Sequence, residues 1–317
     1  MDAATLIALI VVLAVAPVVI SMIIEALRKP PETPQSLYWA PTIPIQYTSV
    51  DGMRIRYIKT GQGPNLVLLH TLRTELDIFQ KVIPDLAREF TVYALDYPGH
   101  GFSDIPRTDY RPELFVRVVE GFLAGLKIDE ATLAGVSIGG VIPLLVAAKH
   151  NTRVRKVVAI NPYDYGKGGG ISRGNFVAWL IFTLAKIPVL GETVMRFRNR
   201  IVERLIIQGG VATPEALPGK FLEQLFAEGE RKHHYRGFLN LIRNAHHWEE
   251  AHQRYGQITI PVLLVYGERD WSRVEERDRT ARGVPGARME TVANGGHFLS
   301  LDQPHRVVAL IKEFAAA

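Results

Sequence analysis

From residue 45 onward, short apolar runs alternate with stretches of helical periodicity, and this alternation constrains the chain more than any other feature. Ile45 to Val50 and Met53 to Lys59 flank Asp51-Gly52, a strong hairpin signal. Asn65 to His70, Thr91 to Asp96, Ala131 to Val136, Arg155 to Ile160 and Val262 to Tyr266 read as strands. Helices are predicted at about Asp77 to Glu89, Pro112 to Leu126 and Gln303 to Ala315. Strands separated by helices imply parallel pairing through right-handed crossovers, so the fold class is α/β: a mostly parallel central sheet flanked by helices, after an antiparallel start. Between residues 165 and 257 the alternation stops and only helical periodicity remains, which predicts a helical cap over the carboxyl ends of the strands. Open α/β sheets place their ligands there.

The N-terminus is the most asymmetric stretch. From Thr5 to Leu27 only Thr5, Ser21 and Glu25 are polar. A helix of that length reaches roughly 35 Å against a hydrocarbon core of roughly 30 Å, which predicts a single-pass membrane anchor. A cleaved signal peptide fits less well: Met1 to Ala4 holds no basic residue, and the Ala14 to Ala16 cleavage pattern runs into Pro17. Arg28 and Lys29 follow the span while Asp2 alone precedes it, which puts the main domain in the cytoplasm. Pro30, Pro31, Pro34, Pro41 and Pro44 make a linker, in which Tyr38 and Trp39 fit either the headgroup level or a seat on the globular domain. The expected division is 1–27 transmembrane helix, 28–44 linker, 45–164 and 258–317 core, and 165–257 cap.

Among 317 residues there is no cysteine, which excludes disulfides, thiolate zinc sites, iron–sulfur clusters and a cysteine nucleophile. The formal charge of +5 is spread among mixed charges, so nucleic acid is not an expected partner. The histidines at 233, 234, 246, 247 and 252 follow no ligand template, although His246 and Glu250 share a helix face; no metal and no cofactor are expected.

Gly135-Val136-Ser137-Ile138-Gly139 follows an apolar strand and opens a helix, the context a G-x-S-x-G nucleophile elbow requires. A serine nucleophile needs a base and a group to orient it. Asp270 lies just beyond the Val262 strand, and His297 sits in a glycine-rich loop before the last helix. The structural alternatives are a helix N-cap for Asp270 and an ordinary loop histidine for His297, with Asp164 as a reserve acid.

With Asp96-Tyr97-Pro98-Gly99-His100-Gly101-Phe102-Ser103-Asp104, these motifs make residues 44 to 317 resemble the α/β-hydrolase fold superfamily, in particular its capped, epoxide-hydrolase-like and lipase-like sequences. The chain order Ser137, Asp270, His297 is the order that fold uses. The resemblance implies a structural role for the 96–104 segment, His100 included, and an oxyanion hole from the backbone N–H groups of Leu72 and Ile138. It also implies acyl chemistry, since the epoxide hydrolases and haloalkane dehalogenases of the fold attack with aspartate. One departure stands out: His70-Thr71-Leu72-Arg73 replaces the family's His-Gly-x. Thr71 is expected to resist a positive φ and so to reshape the hole, while the Arg73 guanidinium could hold a substrate carboxylate or phosphate or form a surface salt bridge.

In the cap, Phe176 to Leu190 is apolar nearly all round and reads as a buried, pocket-lining or bilayer-touching helix, with Trp179 and Phe182 as candidate substrate contacts. Arg196, Arg200 and Arg204 then form a stripe beside Val194, Phe197, Ile201 and Leu205, either a solvated face or a dock for anionic lipid. The glycine cluster that begins at Gly166 suits a cap hinge. The expected function is a membrane-anchored serine hydrolase of a lipophilic carboxylic ester of acylglycerol or lysolipid type. Alternatives are a carbon–carbon bond hydrolase of a dienoic diketo acid and a non-catalytic binding or assembly module. The expected partners are that small molecule and membrane lipid; the sequence names no protein partner.

Overall fold

The alternating runs assemble into one eight-stranded sheet. The structure, a computed structural model, describes residues 1–316; Ala317 of the expected core segment lies outside them. The apolar helix α1 (Ala3–Leu27) comes first, with the Asp2 carboxylate accepting from the Thr5 N–H at 2.7 Å. Then come β1 (Ile45–Val50), β2 (Met53–Thr60), β3 (Asn65–Leu69), α2 (Ile83–Leu86), β4 (Thr91–Leu95), α3 (Pro112–Gly125), β5 (Ala131–Val136), α4 (Ile138–Ala148) and β6 (Val154–Ile160). The insertion holds α5 (Phe176–Ala185), α6 (Leu190–Phe197), α7 (Arg200–Gln208), α8 (Gly219–Gly229), α9 (Tyr235–Arg243) and α10 (His246–Glu249). β7 (Val262–Gly267), α11 (Val274–Gly283), β8 (Arg288–Val292), α12 (Leu299–Asp302) and α13 (Pro304–Ala316) close the chain.

The strand order is β1-β2-β4-β3-β5-β6-β7-β8, antiparallel across β1, β2 and β4 and parallel from β4 to β8. β5, β6 and β7 run through the middle of the core, almost every residue buried. This leaves their carboxyl ends as the places where polar side chains can project into a site.

Several elements depart from expectation for local reasons. The helix expected at Asp77 to Glu89 splits into a 3-10 turn (Leu76–Phe79) and α2, which starts afresh around Pro84. β8 carries Arg288 and Glu290 at the sheet edge, so it lacks the apolar run that marks the central strands. The apolar cap stretch ends its first helix at Ala185 and turns at Ile187-Pro188. It is not buried all round: Phe176 is 71% exposed and Trp179 48%. The arginine stripe is also broken, because Asn199 caps α7 by accepting from the N–H groups of Ile201 and Val202 at 2.8 and 3.1 Å. Arg196 turns inward to the Tyr235 hydroxyl, at 3.2 and 3.0 Å.

The foot of α1 packs on α6, where Ser21, Glu25 and Arg28 are buried. Arg28 pairs with Glu25 at 3.1 Å and with Glu230, and donates to the Arg196 carbonyl at 2.6 Å. The linker is pinned to the core rather than to a headgroup layer: Tyr38 donates to Gln80 at 3.0 Å and the Trp39 indole to Asp77 at 2.5 Å.

Candidate active site

Ser137 follows β5 and opens α4 with φ 62° and ψ −120°, a backbone conformation that L-residues rarely adopt. Close packing sustains it. A Cβ on Gly135 would lie 1.9 Å from the Gly139 carbonyl oxygen, and one on Gly139 would lie 2.1 Å from that of Leu69. Two glycines thus allow strand, helix and the loop after β3 to touch at one point. As the first helical residue, Ile138 has no intrahelical acceptor for its N–H.

Asp270 lies beyond β7, and His297 in the loop after β8. His297 Nδ1 donates to Asp270 Oδ1 at 2.5 Å, with both side chains fully enclosed. The other carboxylate oxygen of Asp270 accepts from the Ser272 N–H at 2.9 Å and from its hydroxyl. Burial pushes the Asp270 carboxyl up, but the imidazole and these hydrogen bonds outweigh it and hold the group below the usual carboxylate range. His297 Nε2 is buried without a partner among the described residues, and no hydrogen bond joins it to Ser137. Asp164 is directed elsewhere, accepting from the Thr280 hydroxyl at 2.9 Å.

Two flanking residues escaped sequence reading. Trp271 stacks on the His297 ring at 3.8 Å between centroids and 15° between planes, its indole N–H held by the Gly209 carbonyl at 2.7 Å. Asn161, just past β6, donates to the carbonyls of Gly296 and His297 at 3.0 and 2.9 Å and accepts from the Gly267 N–H at 2.8 Å. It therefore ties the end of β7 to the histidine loop. Its only sequence signal is its position just past a buried strand.

On the opposite wall, Tyr97 N–H donates to His70 Nε2 at 2.9 Å, which leaves the proton on Nδ1 to donate to the Thr71 carbonyl at 2.8 Å. Burial lowers the His70 pKa to about 4, so the ring is neutral and this loop clamp holds at pH 7. Thr71 does not carry the positive φ that its side chain would resist; Arg73 does, at 60°. Leu72 N–H makes no hydrogen bond among the described residues. Arg73 is not a free guanidinium: it pairs with Glu203 at 2.9 Å and lies 4.8 Å from the centre of the Phe238 ring. His100 is buried, with Nδ1 at 3.0 Å from the Pro98 carbonyl.

A cavity of about 260 Å³ opens between this wall and the cap. Leu72, Arg73 and Phe298 line its core side, and Phe182, Val202 and Ile206 are among its cap residues. Phe182, one of the two candidate substrate contacts, thus lines the cavity. Trp179 is not among the lining residues; it stacks on Phe176 at the exposed surface of α5. His246, His247 and Glu250 bring potential ligand atoms within 4.8 Å of one another on the cap exterior, and the structure puts no catalytic group beside them.

A family model described as alpha/beta hydrolase fold matches residues 64–304. Over 275 residues the chain is 28% identical to a pimeloyl-[acyl-carrier protein] methyl ester esterase of Stenotrophomonas maltophilia, covering 81% of this chain and 95% of the relative. It is 27% identical over 288 residues to a haloalkane dehalogenase of Psychrobacter cryohalolentis, covering 83% and 87%. The crystal structure of Cfl2 from Burkholderia cenocepacia superposes with a TM-score of 0.76 at 20% identity, covering 88% of this chain and 98% of that one.

Proposed function

Since the chain belongs to the alpha/beta hydrolase family, we propose that it is a membrane-anchored serine hydrolase that cleaves a lipophilic carboxylic ester of acylglycerol or lysolipid type. The observation that carries this reading is a strained Ser137 turn after β5 together with a buried Asp270–His297 pair beyond β7 and β8 whose Nε2 has no partner among the described residues. Ser137 Oγ attacks the ester carbonyl and its proton passes to His297 Nε2. Asp270 keeps the Nδ1–H tautomer and stabilises the imidazolium. The N–H groups of Leu72 and Ile138 receive the developing oxyanion, each worth roughly 3 kcal/mol in such sites. The alcohol leaves with the proton from His297, and water, deprotonated by the same nitrogen, hydrolyses the acyl-enzyme.

Serine in place of aspartate favours acyl transfer over dehalogenase or epoxide chemistry. The nearly apolar cavity supports a lipophilic substrate. The membrane assignment is supported by α1, whose apolar length extends beyond its docked foot, and by the cap surface it packs on. The cap also exposes Phe176, Trp179, Val189 and Ile201 and carries Lys186, Arg200 and Arg204. The carbon–carbon hydrolase reading loses its main support because Arg73 is paired with Glu203. The non-catalytic reading loses its motive because Thr71 escapes the strained conformation.

Carbonate-washed membranes from cells expressing the full chain test both halves. They should hydrolyse p-nitrophenyl octanoate in preference to the acetate, and Ser137→Ala should lower kcat by about 10⁴-fold or more. Activity that washes off, or that survives in Ser137→Ala, refutes the proposal.

A further inference from the structure

Between α6 and α7 the chain kinks at Arg198, whose φ of 29° and ψ of 134° lie outside the regions L-residues prefer. Such strain persists only where the surroundings hold it, and it clusters at sites that bind or react. The kink turns Arg198 inward until its side chain is 6% exposed. Its guanidinium rests on Gly229, where an added Cβ would lie 1.8 Å from Nη1 and 1.7 Å from Nη2. The pocket that receives this group is therefore shaped to it.

The hydrogen bonding of that guanidinium is incomplete. Nη2 donates to Glu203 at 3.1 and 3.4 Å and to the Phe226 carbonyl at 3.4 Å. Nε lies 3.5 Å from Glu230 without hydrogen-bond geometry, and Nη1 has no acceptor among the described residues. Burial lowers the pKa to about 10, so the group is still a cation at neutral pH. Leaving charged N–H groups buried and unpaired is costly enough that native proteins seldom do it without a reason. Glu203 cannot supply the missing acceptor, because it is shared with Arg73 at 2.9 Å, and Glu230 is shared with Arg28. Both Arg198 and Arg73 line the apolar cavity, whose core side holds Leu72, the expected oxyanion-hole residue, and Phe298, which follows His297 in the chain.

We propose that Arg198 is an anion-binding subsite at the cap side of the cavity, and that the ligand is an amphiphile with a carboxylate or phosphate joined to an apolar chain. The anion pairs with the buried, unpartnered Nη1, and the chain runs along Phe182, Val202 and Ile206 toward Leu72. The proposal rests on the serine-hydrolase reading only for what lies at the far end of the chain. Binding itself needs no nucleophile.

The test uses the full chain carrying Ser137→Ala in nanodiscs of zwitterionic lipid, with octanoate, octyl phosphate and octan-1-ol as probes and a thermal-shift titration as readout. One or both anions should bind about tenfold or more tighter than the alcohol, as a charge-assisted hydrogen bond allows, and the better of the two identifies the head group. Arg198→Met should erase that preference and Arg198→Lys should restore part of it. If Arg198→Met does not fold, Gly229→Ala serves instead, because it displaces the guanidinium and keeps its charge on the chain. Equal binding of all three probes, or a preference that survives both variants, overturns the subsite and leaves water as the partner of Nη1. Loss of ester hydrolysis in Ser137→Ala tests the enzyme reading separately.

Discussion

Two walls are held in opposite ways: the core, which carries Ser137, Asp270 and His297, and the cap, which carries most of the cavity lining. On the core wall, Ser137, Asn161 and Asp270 each sit within a few residues of a buried parallel strand. Their positions follow from strand register, and backbone meets backbone with no side chain to yield. On the cap wall, helix joins helix through ion pairs. Glu25 to Arg28, Arg28 to Glu230, Glu230 to Arg198, Arg198 to Glu203 and Glu203 to Arg73 form one continuous chain from the foot of α1 to the loop after β3. Several buried polar atoms there lack partners, Arg198 Nη1 and Glu228 Oε2 among them. The contrast assigns the two walls different work: the core fixes reacting atoms, whereas the cap fixes charge, which a ligand or the anchor can rearrange without refolding the sheet.

One substitution made on both sides puts the contrast at risk. Gly139→Ala would drive its Cβ to within 2.1 and 2.3 Å of the Leu69 and His70 carbonyl oxygens, which belong to buried backbone. We expect a loss of about 4 kcal/mol or more in denaturant unfolding.

Acid should erode the core wall next. His70 and His100 are buried and neutral in the native fold, with pKa values lowered by burial to about 4 and about 3, against about 6.5 in an unfolded chain. The unfolded state thus takes up protons first as pH falls below about 6.5, and each imidazole withdraws about 3 kcal/mol or more of stability by pH 4. Thermal unfolding from pH 7 to pH 4 should show this fall, and His70→Asn should flatten it. A pH-independent midpoint would mean that these rings are not held neutral.

Gly229→Ala should be the mildest change. Its Cβ meets the guanidinium of Arg198, a side-chain end that can shift where backbone cannot, so stability should fall by about 2 kcal/mol, less than for Gly139→Ala, while the anion preference disappears. Equal damage from Gly139→Ala and Gly229→Ala would dissolve the distinction between the walls.

The same division decides what was legible in the sequence. The hairpin, the central strands and the elbow announce themselves through local patterns: alternation, buried runs, small residues two positions either side of a serine. The edge strand β8 and the amphipathic α11 were missed because Arg288, Glu290 and the charged run after Val274 carry no apolar block. The cap resisted reading for a different reason. Arg28 finds Glu230 at 202 residues' separation and Arg73 finds Glu203 at 130, and contacts that distant leave no periodic trace. Arg196, Arg200 and Arg204 looked like one stripe because spacing alone does not reveal that Asn199 would start a new helix. Trp271 was visible only as the neighbour of Asp270, and its stacking on His297 needed the fold.

The most direct test of the central claim is covalent. Full-length protein incubated with an alkyl fluorophosphonate should gain the mass of one phosphonyl group as fluoride leaves, and peptide mapping should place it on Ser137. The adduct should be absent in Ser137→Ala and form far more slowly in His297→Ala. No adduct on the wild type, or an equal adduct in Ser137→Ala, would contradict the account.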